Sequence, residues 1–119
     1  MFYILDNKVP VKVEGDSQEE ITLKWAKWYE ANDRTVKKTR LEATQENRFF
    51  MKEKKLGFIE VSTVFLGLDH NHFGGKPLLF ETMVFGGEHE YEMTRCSTWE
   101  EAEAMYNEMI GRLKGDLGS

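Results

Sequence analysis

The chain lacks the sequence features that are typical of secreted and membrane proteins. It contains one cysteine, Cys96, and two prolines among 119 residues. A single thiol excludes an internal disulfide framework. No apolar run approaches the roughly 18 residues that a membrane-spanning helix needs. The first residues, Met1 to Asp6, lack the basic start and long apolar region of a signal peptide. We therefore expect a reduced, cytoplasmic protein that does not enter a membrane.

Length and composition predict one domain spanning residues 1–119. Such a chain buries roughly 65% of the surface that its unfolded form exposes, which is enough for one core. The residues are 40% hydrophobic and 13% aromatic, as in globular proteins rather than disordered ones. The sequence shows no internal repeat and no low-complexity segment.

Charge is unevenly distributed along the chain. The net charge is −5, yet residues 33–55 hold eight basic and four acidic side chains, so this segment is +4 and the remainder −9. The basic residues are Arg34, Lys37, Lys38, Arg40, Arg48, Lys52, Lys54 and Lys55. They indicate either a solvated edge hairpin, which lysines protect from aggregation, or a surface for a small anionic ligand. Duplex nucleic acid is not an expected partner. Binding to a duplex depends on neutralising its phosphates with basic residues, and this chain is acidic overall.

Hydrophobic periodicity and turn residues predict an α+β fold, with a mostly antiparallel sheet of five to seven strands and two packed helices. A capping-box spacing begins the first helix at Asp16 or Ser17, and Thr98 with Glu101 begins the second. The predicted strands cover residues 2–6, 9–13, 36–43, 48–53, 58–68, 78–85 and 91–96. The helices run from Ser17 to Asn32 with Ile21, Trp25, Trp28 and Tyr29 on one apolar face, and from Thr98 to about Leu113.

The strands at 58–68 and 78–85 form the expected central hairpin. Both are apolar on two faces, which is typical of a strand that is covered on both sides. We expect the helices to cover one face and a partner subunit to cover the other. The sequence therefore predicts a homo-oligomer.

The loop between these strands holds the most suggestive polar residues. His70 and His72, with Asp69 or His89, suggest a metal site, but zinc normally has three or four well-spaced ligands. A structured loop whose Asp and Asn bond its own backbone is the favoured alternative, and we expect no metal.

Phe73 precedes two glycines, so it is a candidate to stack on a base, although the segment lacks the Walker pattern. An ordinary hairpin loop is the competing interpretation.

Two further side chains have competing interpretations. Cys96 has no evident base beside it, so a buried structural thiol is favoured over a nucleophile. Glu81 lies in an apolar run, where an unpaired charge is costly. Arg95 or Thr63 is expected to pair with it. The alternative is that Glu81 accepts hydrogen bonds from hydroxyl or amine groups of a ligand.

Several motifs together resemble a family of small proteins encoded by tailed phages and prophages. They are Trp25-xx-Trp28, Arg34-x-Val36-xx-Thr39, the run from Val61 to His70, the run from Pro77 to Gly87, and Arg95-xx-Thr98-Trp99-x-Glu101-Ala102-x-Ala104. The relatives are shorter between Thr39 and Val61, so residues 40–55 resemble an extended hairpin. Small phage proteins commonly antagonise host defence. One group, the Thoeris-antagonist sponges, is similar in size and sequesters cyclic ADP-ribose-type signals without cleaving them.

These observations lead to one functional hypothesis and two alternatives. The leading hypothesis is a non-enzymatic protein without cofactors that captures an anionic cyclic nucleotide in the host cytoplasm, at an interface between subunits. The expected ligand-binding residues are Arg34, Arg48 and Arg95 for phosphates, Phe73 for a base, and Asn71 and Glu81 for polar edges. The first alternative is an acidic inhibitor of a host nuclease or defence effector. The second is a metal-dependent hydrolase centred on His70 and His72.

Overall fold

A computed structural model describes residues 1–41, 59–71, 73–87 and 89–116. These residues form β1 (Tyr3–Asp6), β2 (Val9–Lys12), α1 (Gln18–Ala31), β3 (Thr35–Leu41), β4 (Ile59–Phe65), β5 (Phe80–Phe85), β6 (Met93–Cys96) and α2 (Trp99–Asp116). The α+β class, the antiparallel pairing and the two helices are confirmed. The strands, however, divide into two sheets rather than forming one, in the orders β1-β2 and β3-β4-β5-β6. The strand predicted at 48–53 lies outside the described residues, as does His72.

The N-terminal hairpin joins two four-residue strands through a tight turn. Asn7 and Lys8 both have positive φ, of 50° and 69°, as the two central residues of a type I′ turn require. Tyr3 and Leu5 of β1 pack against the core near Phe65. The described helices do not include one that is long and apolar enough to cross a membrane.

Capping fixes where each helix begins. The Ser17 hydroxyl accepts a hydrogen bond from the Glu20 amide at 3.1 Å. In α2, the Thr98 hydroxyl accepts from the Glu101 amide, and the Glu101 carboxylate accepts from the Thr98 amide, each at 3.1 Å. Both predicted capping residues are thus confirmed, with Ser17 rather than Asp16 capping α1.

Helix α1 is more peripheral than its sequence suggests. None of its residues is fully buried, and Trp25 and Trp28 are half-buried rather than core residues. The edge of the Trp28 ring contacts Phe65, with ring centroids 5.6 Å apart. This contact joins α1 to the side of the main sheet that α2 also covers.

One face of the four-stranded sheet forms the core. Every second residue of β4, beginning at Ile59, is buried, and so are the partners of these residues on β5. The opposed pairs are Val61 with Val84, Thr63 with Thr82, and Phe65 with Phe80. Helix α2 covers this face with Ala102, Met109 and Leu113, each at most 3% exposed. Buried and half-buried residues thus alternate along β4.

The opposite face of this sheet, here termed the open face, is mixed in character. Its three cross-strand rows are Thr35, Val64, Glu81 and Arg95; then Lys38, Ser62, Met83 and Met93; then Arg40, Glu60 and Phe85. The side chains of the two central strands are half-buried, although both helices pack on the other face. That a partner subunit covers the open face remains a prediction.

Candidate functional site

The loop that joins β4 to β5 is anchored at its base. Leu66 donates its amide hydrogen to Leu79 at 2.7 Å, which closes the two sides of the loop. The N-terminal segment then binds the outer side of the loop, because the Tyr3 amide donates to Gly67 and the Asp69 amide donates to Met1, at 2.7 and 3.3 Å. The loop base is therefore held by two different parts of the chain.

Asp69 and Asn71 organise the upper part of this loop, residues 69–78, termed here the recognition loop. The Asp69 carboxylate accepts hydrogen bonds from the amides of Asn71 and Leu78, at 2.8 and 3.0 Å. These bonds, the Asn71 bond foremost, lower the pKa of Asp69 although partial burial opposes the shift. The Asn71 side chain accepts from the Phe73 amide and donates to the Lys76 carbonyl. The predicted structured loop is confirmed, and Asn71 holds its backbone.

Phe73 at the apex of the recognition loop is fully exposed. Its relative exposure is 100%, the highest of the exposed large apolar residues. Gly74 and Gly75 follow with φ of 82° and 88°, and a Cβ at Gly74 would have no atom within 4 Å. The exposed Lys76 comes next. The loop thus combines an accessible ring, accessible backbone and a cation within four residues.

Glu81 and Arg95 lie side by side on the open face. The Arg95 Nε donates to Glu81 Oε2 at 3.1 Å, and the two residues are cross-strand partners on β5 and β6. Their side chains are 14% and 30% exposed. The predicted pairing of Glu81 with Arg95 is confirmed, whereas Thr63 pairs with Thr82 instead. A ligand would have to compete with this ion pair for either side chain.

Arg34 occupies a third location, between α1 and β3. Its guanidinium carbon lies 3.5 Å from the centre of the Tyr29 ring, a cation–π contact. Its carbonyl accepts a hydrogen bond from the Phe65 amide at 2.8 Å, at the end of β4 where the long loop begins. Tyr29 in turn stacks on Trp25, with ring centroids 4.4 Å apart. Arg34 is therefore part of a packed aromatic stack.

The described part of the basic segment is engaged in ion pairs. Lys38 and Arg40 both face Glu60, at 3.5 and 3.6 Å, and Lys37 faces Glu103 of α2 at 3.9 Å. These residues lie on β3, which is the outermost strand of its sheet among the described residues, as the edge-protection interpretation predicts. Arg48 and the three lysines that follow it lie outside the described residues.

Neither metal nor thiol chemistry has an evident centre in the described residues. No group of three or more His, Cys, Asp or Glu side chains there is placed to hold a metal ion. Cys96 is half-buried, and its Sγ donates to the Thr98 carbonyl at 3.7 Å. Burial, followed by the charge of Glu101, raises the pKa of the thiol to about 11. At neutral pH the thiol is therefore protonated and weakly nucleophilic.

The expected ligand residues form three groups rather than one pocket. Asn71 and Phe73 share the recognition loop, Glu81 and Arg95 share the open face, and Arg34 stands apart. No hydrogen bond, ion pair or ring contact joins these groups within the described chain. Two cavities in the described part of the chain, of about 60 and 230 Å³, are lined by other residues.

Sequence reasoning missed two features. Lys76 was not selected, although it follows the glycines directly and is exposed. The cluster of Lys38, Arg40 and Glu60 was also missed, because Glu60 is about 20 residues from the two basic residues in sequence. Comparison with protein-family models, curated proteins and solved structures finds no match to this chain.

Proposed function

We propose that this chain is a non-catalytic binding protein that captures an anionic nucleotide with its recognition loop. One observation carries the proposal: a loop fixed by Asp69 and Asn71 presents Phe73 with 100% exposure. Exposing a large apolar ring is unfavourable, because its burial would contribute about 1.5–3 kcal/mol. A ring held in that state on an ordered loop is suited to stacking on a planar ligand.

The neighbouring groups favour a ligand that carries phosphate. Lys76 is exposed beside the two glycines, whose missing side chains allow a phosphate to approach the backbone. Because the loop is already ordered by its own hydrogen bonds, binding requires little further loss of conformational entropy. Arg34 and Arg95 are the proposed additional phosphate ligands, each after releasing its present partner.

Capture at an interface between two copies follows from the energetics. One stacked base contributes about 1–3 kcal/mol, whereas micromolar binding needs about 8 kcal/mol. Two copies supply two recognition loops, and a cyclic dinucleotide or cyclic ADP-ribose-type signal presents two faces for stacking or phosphate contact. A homo-oligomer is therefore part of the proposal, and light scattering at tens of micromolar protein tests it.

The proposed biological setting is sequestration of an immune signal in the cytoplasm of a phage-infected cell. It rests on the resemblance to small phage proteins. A binding protein in this role removes the signal by mass action without cleaving it.

The second candidate function is inhibition of a host effector through a protein–protein interface. The observation that favours it is the open face, where half-buried Val64, Met83 and Phe85 lie among paired charges. An apolar centre with a polar rim is the usual anatomy of such an interface. In this case the ligand is a protein surface, and Phe73 is not required.

Calorimetry against cyclic dinucleotides, cyclic trinucleotides and cyclic ADP-ribose isomers distinguishes the two functions. Phe73→Ala should weaken nucleotide binding about 5- to 150-fold, the equivalent of about 1–3 kcal/mol. Leu23→Ala, which removes a side chain that is 55% exposed on α1, is the matched control and should bind normally. If no nucleotide gives heat and the chain instead binds a host protein tightly, the inhibitor function is supported.

A further inference from the structure

A second cavity lies beside the N-terminal segment. It has a volume of about 230 Å³ and sits between the β1-β2 hairpin and the first turn of α1. Its lining residues are Met1, Phe2, Lys12, Val13, Gln18 and Ile21. None of these residues belongs to the recognition loop or to the open face, although the Met1 carbonyl accepts a hydrogen bond from the Asp69 amide at the start of that loop.

The walls of this cavity are apolar and firmly placed. Val13 is 7% exposed, and its amide donates to the Phe2 carbonyl at 2.9 Å. The Phe2 ring is held against Trp25, with centroids 4.8 Å apart. Ile21 is half-buried on the inner side of α1. A ligand body in contact with these three side chains would be removed from water on several sides.

Lys12 supplies the polar group of the cavity. No carboxylate of the described residues lies within 4.0 Å of its Nζ, in contrast to Lys24, Lys37 and Lys38, which all have acidic partners. Glu20 in the nearby first turn of α1 is engaged by Lys24 and by the Asp16 amide. The lysine is therefore a cation available to an external anion, next to an apolar wall.

From this combination we infer that the cavity binds a compact organic carboxylate with a small apolar body. The volume lies below the roughly 300–1,000 Å³ of sites for drug-sized ligands, which sets the upper size at about that of a benzoate or a hexanoate. The carboxylate meets Lys12, and the ring or alkyl chain lies against Phe2, Val13 and Ile21.

Methyl NMR titration of the full chain with benzoate and hexanoate tests this inference. Saturable shifts of the Val13 and Ile21 methyl signals at millimolar ligand are expected, and benzamide, which has the same shape without the charge, should bind at least about tenfold more weakly. Lys12→Gln should weaken benzoate binding by a similar factor. Lys27→Gln, on an exposed part of α1, is the charge-matched control and should leave it unchanged.

Ile21→Phe provides a second variant that fills the cavity without removing charge, and circular dichroism checks that it folds. It should abolish binding of both acids, whereas Phe73→Ala should not affect it. Equal binding of benzoate and benzamide, or benzoate affinity unchanged by both Lys12→Gln and Ile21→Phe, would overturn the inference. Neither result would bear on nucleotide capture by the recognition loop.

Discussion

The hydroxyl groups of Thr63 and Thr82 hydrogen-bond to each other at the centre of the buried sheet face. Both residues are 0% exposed and are direct cross-strand partners on β4 and β5. Two polar groups thus lie beneath α2 among valine and phenylalanine side chains, each satisfied by the other. The pair is tolerated in the core only as a pair, because a lone buried hydroxyl would lose its hydrogen bonds to water.

Replacing one threonine should therefore cost more than replacing both. Thr63→Val or Thr82→Val alone should lower the free energy of unfolding by about 1–3 kcal/mol, since the remaining hydroxyl is left without a partner. The double variant should recover most of that loss, because both polar groups are gone and the shape is kept. Urea denaturation of the four proteins measures this; additive losses would show that the hydroxyls act independently.

Gly67 and Gly74 offer a matched comparison of backbone and contact effects. Both have positive φ, of 76° and 82°. A Cβ at Gly67 would lie 2.6 Å from Trp25 Nε1, whereas a Cβ at Gly74 meets nothing within 4 Å. Gly74→Ala should cost about 1–2 kcal/mol from backbone strain, and Gly67→Ala at least about 1 kcal/mol more from overpacking. Equal losses in thermal unfolding would exclude a role for the contact.

Arg95→Ala should affect stability even in the absence of a ligand. It leaves the 14% exposed Glu81 side chain without its partner, and this should lower the free energy of unfolding by about 1–3 kcal/mol. Lys38→Ala is the control, because the Lys38 side chain is 54% exposed and Arg40 also faces its partner Glu60, and it should cost less than about 1 kcal/mol. If ligand binding to Arg95→Ala is also measured, a direct contact with the ligand is shown only when the loss of affinity is larger than the loss of folded protein explains.

Cys96 should react slowly with alkylating reagents in the folded chain. Its pKa is raised from 9.0 to about 11 by burial, so the thiolate fraction near pH 8 falls roughly 100-fold relative to the unfolded chain. Because the folded-state pKa is the higher one, this group's contribution to stability decreases as pH rises from about 9 to about 11. Iodoacetamide labelling followed by mass spectrometry, with and without urea, measures the ratio; similar rates would contradict burial of the thiol.

Asp69 should make the recognition loop sensitive to acid. Its folded-state pKa lies below the ordinary value of 3.8 because the carboxylate accepts the Asn71 and Leu78 amides. The stabilising contribution is therefore present above about pH 4 and is lost as pH falls through the folded-state pKa. Carbon-detected NMR titration of this carboxyl should give a midpoint below 3.8. An Asp69→Asn variant should lack the corresponding acid-induced change in the amide signals of Asn71 and Leu78.

Local chemistry made much of the fold predictable from the sequence. Capping boxes place helix starts through bonds between residues three positions apart, as at Thr98 and Glu101. The alternation in β4 identifies the buried face because successive side chains point to opposite sides of a sheet. The pairing of Glu81 with Arg95 was predictable because a carboxylate in an apolar strand needs a cation nearby.

Features that depend on contacts between residues far apart in the chain were harder to predict from the sequence. The N-terminal hairpin forms its own sheet because its backbone pairs with the long loop, through a bridge between Phe2 and Leu68, and not with a strand of the larger sheet. The observed β4 ends at Phe65, three residues earlier than predicted, because positive φ at Gly67 turns the chain toward Tyr3. The burial of α1 was overestimated, since an apolar face alone does not show how much surface is available to cover it.

The attachment of the first residues to the long loop has a consequence for the order in which the chain folds during synthesis. Tyr3 bonds to Gly67, and Lys8 lies 5.3 Å from the centre of the Trp99 ring. The hairpin is translated before either of its docking sites, which follow much later in the chain. A two-stranded hairpin is marginally stable alone, so Tyr3 and Leu5 remain without their core contacts until most of the chain has been made. Nascent chains that stop before residue 67 should therefore expose this segment to chaperones and proteases.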